Sequence, residues 1–111
     1  MKNIVLSAVV AASTLIATQS IAATNSNNLS VCTAMSELAS KIMTHRQSGT
    51  PMSVLLTAIN NNPQDPTVEK LAQAMIIDAY KIPSYSTARS QNNAVLDYEN
   101  TIMLQCIQTL K

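Results

Sequence analysis

Apolar residues in this chain recur every three or four positions in four separate runs, and no run alternates with period two. That spacing lines one face of an α-helix and leaves the other faces polar. A single glycine, Gly49, leaves little hairpin chemistry for a sheet. The pattern predicts an all-α protein: a small four-helix domain with one short helix.

The four runs have definable ends. The first helix is predicted from about Leu29 to Ser48, with Cys32, Met35, Leu38, Ala39 and Ile42 on one stripe. The second is short, about Pro51 to Asn60. Thr50 is its expected N-cap, Pro51 its first helical residue, and Val54, Leu55, Ala58 and Ile59 its buried side. The third starts at the Asp65-Pro66 pair and carries Val68, Leu71, Ala72, Met75, Ile76 and Ala79 up to Ile82-Pro83. The fourth is capped by Ser84 or Ser86 and runs to about Leu110, with Val95, Tyr98, Ile102, Cys106 and Leu110 as its stripe and Met103 and Ile107 beside them.

The N-terminus bears on compartment. Lys2 precedes an uncharged run of small and apolar residues from Ile4 to Thr18, and Ser20 and Ala22 stand where a signal peptidase requires small residues. Residues 1–22 read as a secretory signal peptide cleaved after Ala22, too short and wrongly flanked for a stable membrane span. Leu29-Ser30-Val31-Cys32 resembles a lipobox only loosely, because Val31 is bulky and a polar segment separates it from the apolar run. Residues 23–28 read as a polar, flexible leader, and 29–111 as one helical domain, periplasmic or secreted.

An oxidising compartment gives the two cysteines a role. Cys32 and Cys106 lie near the two ends of the mature chain and lack the C-x-x-C spacing of redox centres. They are expected to form one disulfide joining the N-terminal and C-terminal helices. Closing a loop of about 75 residues constrains the unfolded chain by roughly 4 to 5 kcal/mol. The core needs such a staple. Phe and Trp are absent, Tyr80, Tyr85 and Tyr98 are the only aromatics, and the five methionines of the expected mature chain (Met35, Met43, Met52, Met75 and Met103) pack adaptably but specify geometry weakly.

Charge and motif content narrow the function. After signal cleavage Lys41, Arg46, Lys70, Lys81, Arg89 and Lys111 balance Glu37, Asp65, Glu69, Asp78, Asp97 and Glu99. Without a basic patch, neither nucleic acid nor an anionic membrane surface is expected as a partner. His45 is the sole imidazole, no nucleophile elbow surrounds any serine, and one glycine cannot build a phosphate loop. One histidine and two bridged cysteines do not make a zinc site. The methionines on the apolar stripes read as core rather than as copper ligands. Neither catalytic residues nor a metal or cofactor is expected, so the protein reads as a non-enzyme.

Two polar corners remain as candidate sites. In HRQSGTPMS, Gly49 and Pro51 suit a helix–turn–helix corner, and His45 and Arg46 complement the C-terminal dipole of the first helix. Backbone geometry leaves Arg46 and Gln47 over, with Met52 as an apolar neighbour. In Asp78 to Tyr85, Tyr80 and Tyr85 flank a helix end and are of the type that anchors interfaces. Arg46 is expected either to reach Asp78 or the Tyr80 hydroxyl, tying the corners together, or to face a partner. Candidate partner-binding residues are therefore Arg46, Gln47, Met52, Tyr80 and Tyr85.

The ordered set Cys32, Met43-Thr44-x-Arg46-Gln47-Ser48-Gly49, Met52-Ser53, Ile77-Asp78-Ala79-Tyr80, Pro83, Tyr85 and Cys106 resembles a group of small exported bacterial and phage-associated two-cysteine helical proteins. The resemblance implies export, architecture and a coupling of the R-Q-x-G and A-Y-x-x-P corners, but no activity. Small single-disulfide helical proteins of the periplasm include acid-stress chaperones, which rely on acidic groups that are few here, and immunity proteins, whose motifs are not evident. The expected function is an exported protein-binding module, of inhibitor or immunity type. The alternative is a periplasmic stress or holdase-type chaperone.

Overall fold

The computed structural model describes residues 27–62 and 65–110. The expected signal peptide and its cleavage point lie outside them. The chain divides into two units, 1–31 and 32–111, and the second holds every described element apart from the first turn of helix α1. Among the described residues the structure is all-α, with a Cys32–Cys106 disulfide. Helix α1 covers residues 27–47. It already includes Asn27 and Asn28, which the sequence assigns to a flexible leader. Helix α2 is Met52–Asn61, α3 Pro66–Tyr80 and α4 Ala88–Thr109.

Local chemistry explains each boundary. Gly49 adopts φ +86, a conformation open to glycine without strain. Its N–H reaches the Arg46 carbonyl at 3.2 Å, and the Thr50 N–H reaches the His45 carbonyl at 3.0 Å. These are the paired bonds of a Schellman cap. The side-chain contact that accompanies such caps is usually apolar; here His45 Nδ1 and Thr50 Oγ1 make it polar, 3.2 Å apart. The Thr50 hydroxyl is thereby committed to His45 and caps nothing. Helix α2 instead has Pro51 as its N-cap, without a side-chain cap bond, which corrects the expected Thr50 cap by one residue.

Helix α3 starts as its sequence dictates. Asp65 Oδ1 accepts from Thr67 N at 2.8 Å, Pro66 occupies the first turn, and Glu69 meets the positive end of the dipole. Helix α4 is capped by Thr87, whose Oγ1 accepts from Ser90 N at 3.2 Å, rather than by Ser84 or Ser86. The later start follows from Tyr85, whose backbone N–H and carbonyl are both held by glutamine side chains.

The core is built by three helices. Ala39, Ile42 and Met43 of α1, Met75, Ile76 and Ala79 of α3, and Ala94, Tyr98 and Ile102 of α4 are buried together. The disulfide, with Cα atoms 5.5 Å apart, ties the start of α1 to the end of α4 and spans 74 residues. The predicted stripes hold over most of α1, the C-terminal part of α3 and the middle of α4, and fail in α2, at the start of α3 and at the end of α4. Helix α2 contains no buried residue, so Val54 and Ala58 are exposed, and Leu55, Leu56 and Ile59 only half-cover their side. Val68 and Leu71 in α3, Ile107 in α4 and Leu110 just after it are exposed as well. Periodicity selects the face of a helix; how far along it a neighbour reaches is decided by packing.

Candidate functional site

The two corners meet, and they do so chiefly through backbone groups. Helix α3 ends in a tight turn, where Lys81 N and Ile82 N bond to the carbonyls of Asp78 and Ala79. The chain then runs irregularly to Thr87. Pro83 cannot continue a helix, and the irregular segment has backbone groups that no helix ladder satisfies. The last turn of α1 supplies their partners. Arg46 Nε donates to the Ile82 carbonyl at 2.9 Å. Gln47 Nε2 donates to the Pro83 carbonyl at 2.9 Å, and Gln47 Oε1 accepts from the Tyr85 N–H at 2.8 Å. Its Nε2 also approaches Met43 Sδ at 3.5 Å. Gln91, one turn into α4, completes the hold by donating to the Tyr85 carbonyl at 2.7 Å.

The hold is reciprocal. The Tyr80 hydroxyl donates to the Thr50 carbonyl beside the Gly49 cap. The Arg46 guanidinium stands over the Tyr80 ring, 5.0 Å from its centroid, a distance at which the cation is attracted to the ring face. Burial raises the Tyr80 hydroxyl above its usual pKa, and the Arg46 charge opposes that shift. Of the contacts anticipated for Arg46, the Tyr80 side chain is met at the ring rather than the hydroxyl, while Asp78 pairs with Lys81 at 3.5 Å on the surface.

The five candidate residues therefore divide. Gln47 is only 7% exposed, and both ends of its amide bond within the chain. Arg46 and Tyr80 are half-buried in the latch. Met52 and Tyr85 remain exposed. Met43, which lies outside the predicted stripe of α1, is fully buried against the latch and the core.

Sequence reasoning missed a groove on the other side of Tyr85, of about 520 Å3. Asp78, Ile82 and Tyr85 form one wall. Helix α4 forms the other with Ser90, Asn93, Asp97 and Thr101, and Ala94 and Tyr98 lie between. Those four polar residues recur at intervals of three or four, so a helical polar stripe was the available signal. It reads as a solvated face until the corner is known to pack beside it.

Tyr98 is 5% exposed and donates to the Met75 carbonyl at 2.7 Å. Its pKa is pushed up to about 12, first by burial and then by the Asp78 charge. The folded state thus keeps a proton that the unfolded chain releases near pH ~10. That contribution to stability is complete below the unfolded value and is lost as pH rises from about 10 to about 12. Tyr98→Phe should cost about 1 kcal/mol at neutral pH. Its stability should also fall less steeply over that alkaline window, which denaturant melts at successive pH values would show. An unchanged alkaline slope would mean that the Tyr98 proton is not what links stability to pH there.

Among the described residues no three His, Cys, Asp or Glu side chains gather into a metal site. No protein-family model, curated protein or solved structure matches this chain.

Proposed function

We infer that this chain is an exported, non-enzymatic helical module that binds another protein. The observation that carries the reading is helix α2. Six of its ten residues are apolar, none is charged, and none is buried. Met52 and Val54 (53% exposed) face out from α2, which packs on α3, and α3 leaves Val68 and Leu71 exposed. A chain with few aromatics and a small core gains nothing in stability by leaving such residues in water. An interface recovers that area when a partner covers it. The disulfide fits an oxidising compartment, and no described helix is long and apolar enough to cross a membrane.

The test is capture. The oxidised, tagged protein is expected to retain one partner at fixed stoichiometry from the periplasmic or secreted fraction. Val54→Glu combined with Leu71→Glu should abolish retention while leaving the helical circular dichroism spectrum and the melting temperature in place. Retention undiminished by that double variant would sink the reading. Suppression of aggregation of unrelated clients, without a stoichiometric complex, would favour the holdase alternative.

A further inference from the structure

The groove beside Tyr85 is lined by acidic side chains and no basic ones. Two carboxylates stand on its walls, Asp78 from α3 and Asp97 from α4, and none of its lining residues is Lys, Arg or His. Asp97 has no ion-pair partner among the described residues. Asp78 has Lys81 at 3.5 Å one turn away, with both side chains well exposed. Such a surface pair is weak and readily exchanged for a better one. Ile82, Ala94 and Tyr98 line the same groove. The Tyr98 hydroxyl is committed to Met75, so it offers neither acid a donor.

Size and stiffness fit a peptide. The volume of about 520 Å3 falls within the roughly 300–1,000 Å3 of ordinary ligand pockets. From Ser90 to Thr101 the α4 wall is about 16 Å long at the helical rise, more than one side chain fills. Ser90, Asn93 and Thr101 offer hydroxyl and amide groups to flanking backbone. The Tyr85 wall is fixed at both its backbone groups by Gln47 and Gln91. Gln47 and Gln91 therefore shape the groove without lining it.

We propose that this groove receives an arginine side chain presented by an extended segment of the partner protein, with the guanidinium between Asp78 and Asp97 and its aliphatic stem over Ile82 and Ala94. Arginine fits better than lysine because its planar fork can reach two separate carboxylates while its weakly hydrated face lies on apolar or aromatic surface. The proposal rests on the protein-binding reading and names the chemistry of the partner.

The probe is the peptide acetyl-Ser-Leu-Arg-Leu-Ser-amide, titrated into the oxidised, isotope-labelled protein at low salt and followed by amide chemical shifts. Shifts centred on Asn93, Ala94 and Asp97 are expected. Binding should weaken about tenfold when citrulline replaces the arginine or when Asp97→Asn removes one carboxylate, since each change deletes a charge-assisted contact. Added salt should weaken it further. Asp97 is exposed and its side chain holds no ion-pair partner among the described residues, so the melting temperature of Asp97→Asn should match the wild type; Asp97→Ala repeats the test without the amide. Absent shifts, shifts centred elsewhere, or equal binding by the citrulline peptide would overturn the proposal. Tighter groove binding by spermidine than by the peptide would also overturn it. The titration needs no native partner, so its failure leaves a captured complex standing. A complex retained equally by wild type and Asp97→Asn would refute the groove assignment alone.

Discussion

Replacing Cys106 with Ser, paired with Cys32→Ser to avoid a stray thiol, should lower the melting temperature by about 20 °C. The bridge closes a span of 74 residues, and removing it returns roughly 4 kcal/mol of loop-closure entropy to the unfolded chain. A domain of this size has a total stability of about 5 to 10 kcal/mol. The loss is amplified because the bridge holds the end of α4, where packing is thin: Leu104, Ile107 and Leu110 near its C-terminal anchor are exposed. Thermal melts of oxidised protein, reduced protein and the double serine variant would measure it. A drop of only a few degrees would mean that the helix ends hold together without the covalent link.

Gln47→Ala should be the most costly of the non-cysteine changes in the two corners, at about 2 to 4 kcal/mol. The amide satisfies two backbone groups that have no helical partner, the Pro83 carbonyl and the Tyr85 N–H. Truncation strips both in a part-buried setting, and each stripped group costs about 1 to 3 kcal/mol. It also opens space beside Met43, which is fully buried. Arg46→Ala should cost less, about 1 kcal/mol, because the half-buried Arg46 gives up one bond and one ring contact. Urea melts would rank the two. If Arg46→Ala proved the more damaging, the latch would depend on the cation rather than on the amide. A double-mutant cycle between Gln47 and Gln91 adds a sharper check. Both grip Tyr85, so their effects should be non-additive.

In these corners the sequence is right in outline and incomplete in kind. It points to Arg46 and Gln47 because helix geometry leaves them over, and to Tyr80 because a tyrosine at a helix end needs a hydroxyl partner. The partners it suggests are side chains. The structure answers mostly with backbone: Ile82, Pro83, Tyr85 and Thr50 contribute carbonyls or an N–H. Side-chain identities do not say which backbone groups a turn leaves unsatisfied, so that part was not legible. The α4 cap moves from Ser84 or Ser86 to Thr87 for the same reason, since Tyr85 must stay outside the helix to be held from both sides.

What the sequence by itself determined is what local chemistry controls. Apolar spacing, the Asp65-Pro66 start, the single glycine and the two cysteines were enough for four helices, a left-handed cap at Gly49 and the disulfide staple, because each depends on neighbours a few residues away or on a pairing with no alternative. What only the tertiary structure decided is coverage. Whether Val54, Leu71 or Ile107 is core or surface depends on how far the next helix extends over it, and whether Asp78 and Asp97 face one groove depends on α3 and α4 meeting at Tyr98. Those are distances across the fold, set by packing, and hydrophobic periodicity along one helix contains no term for them.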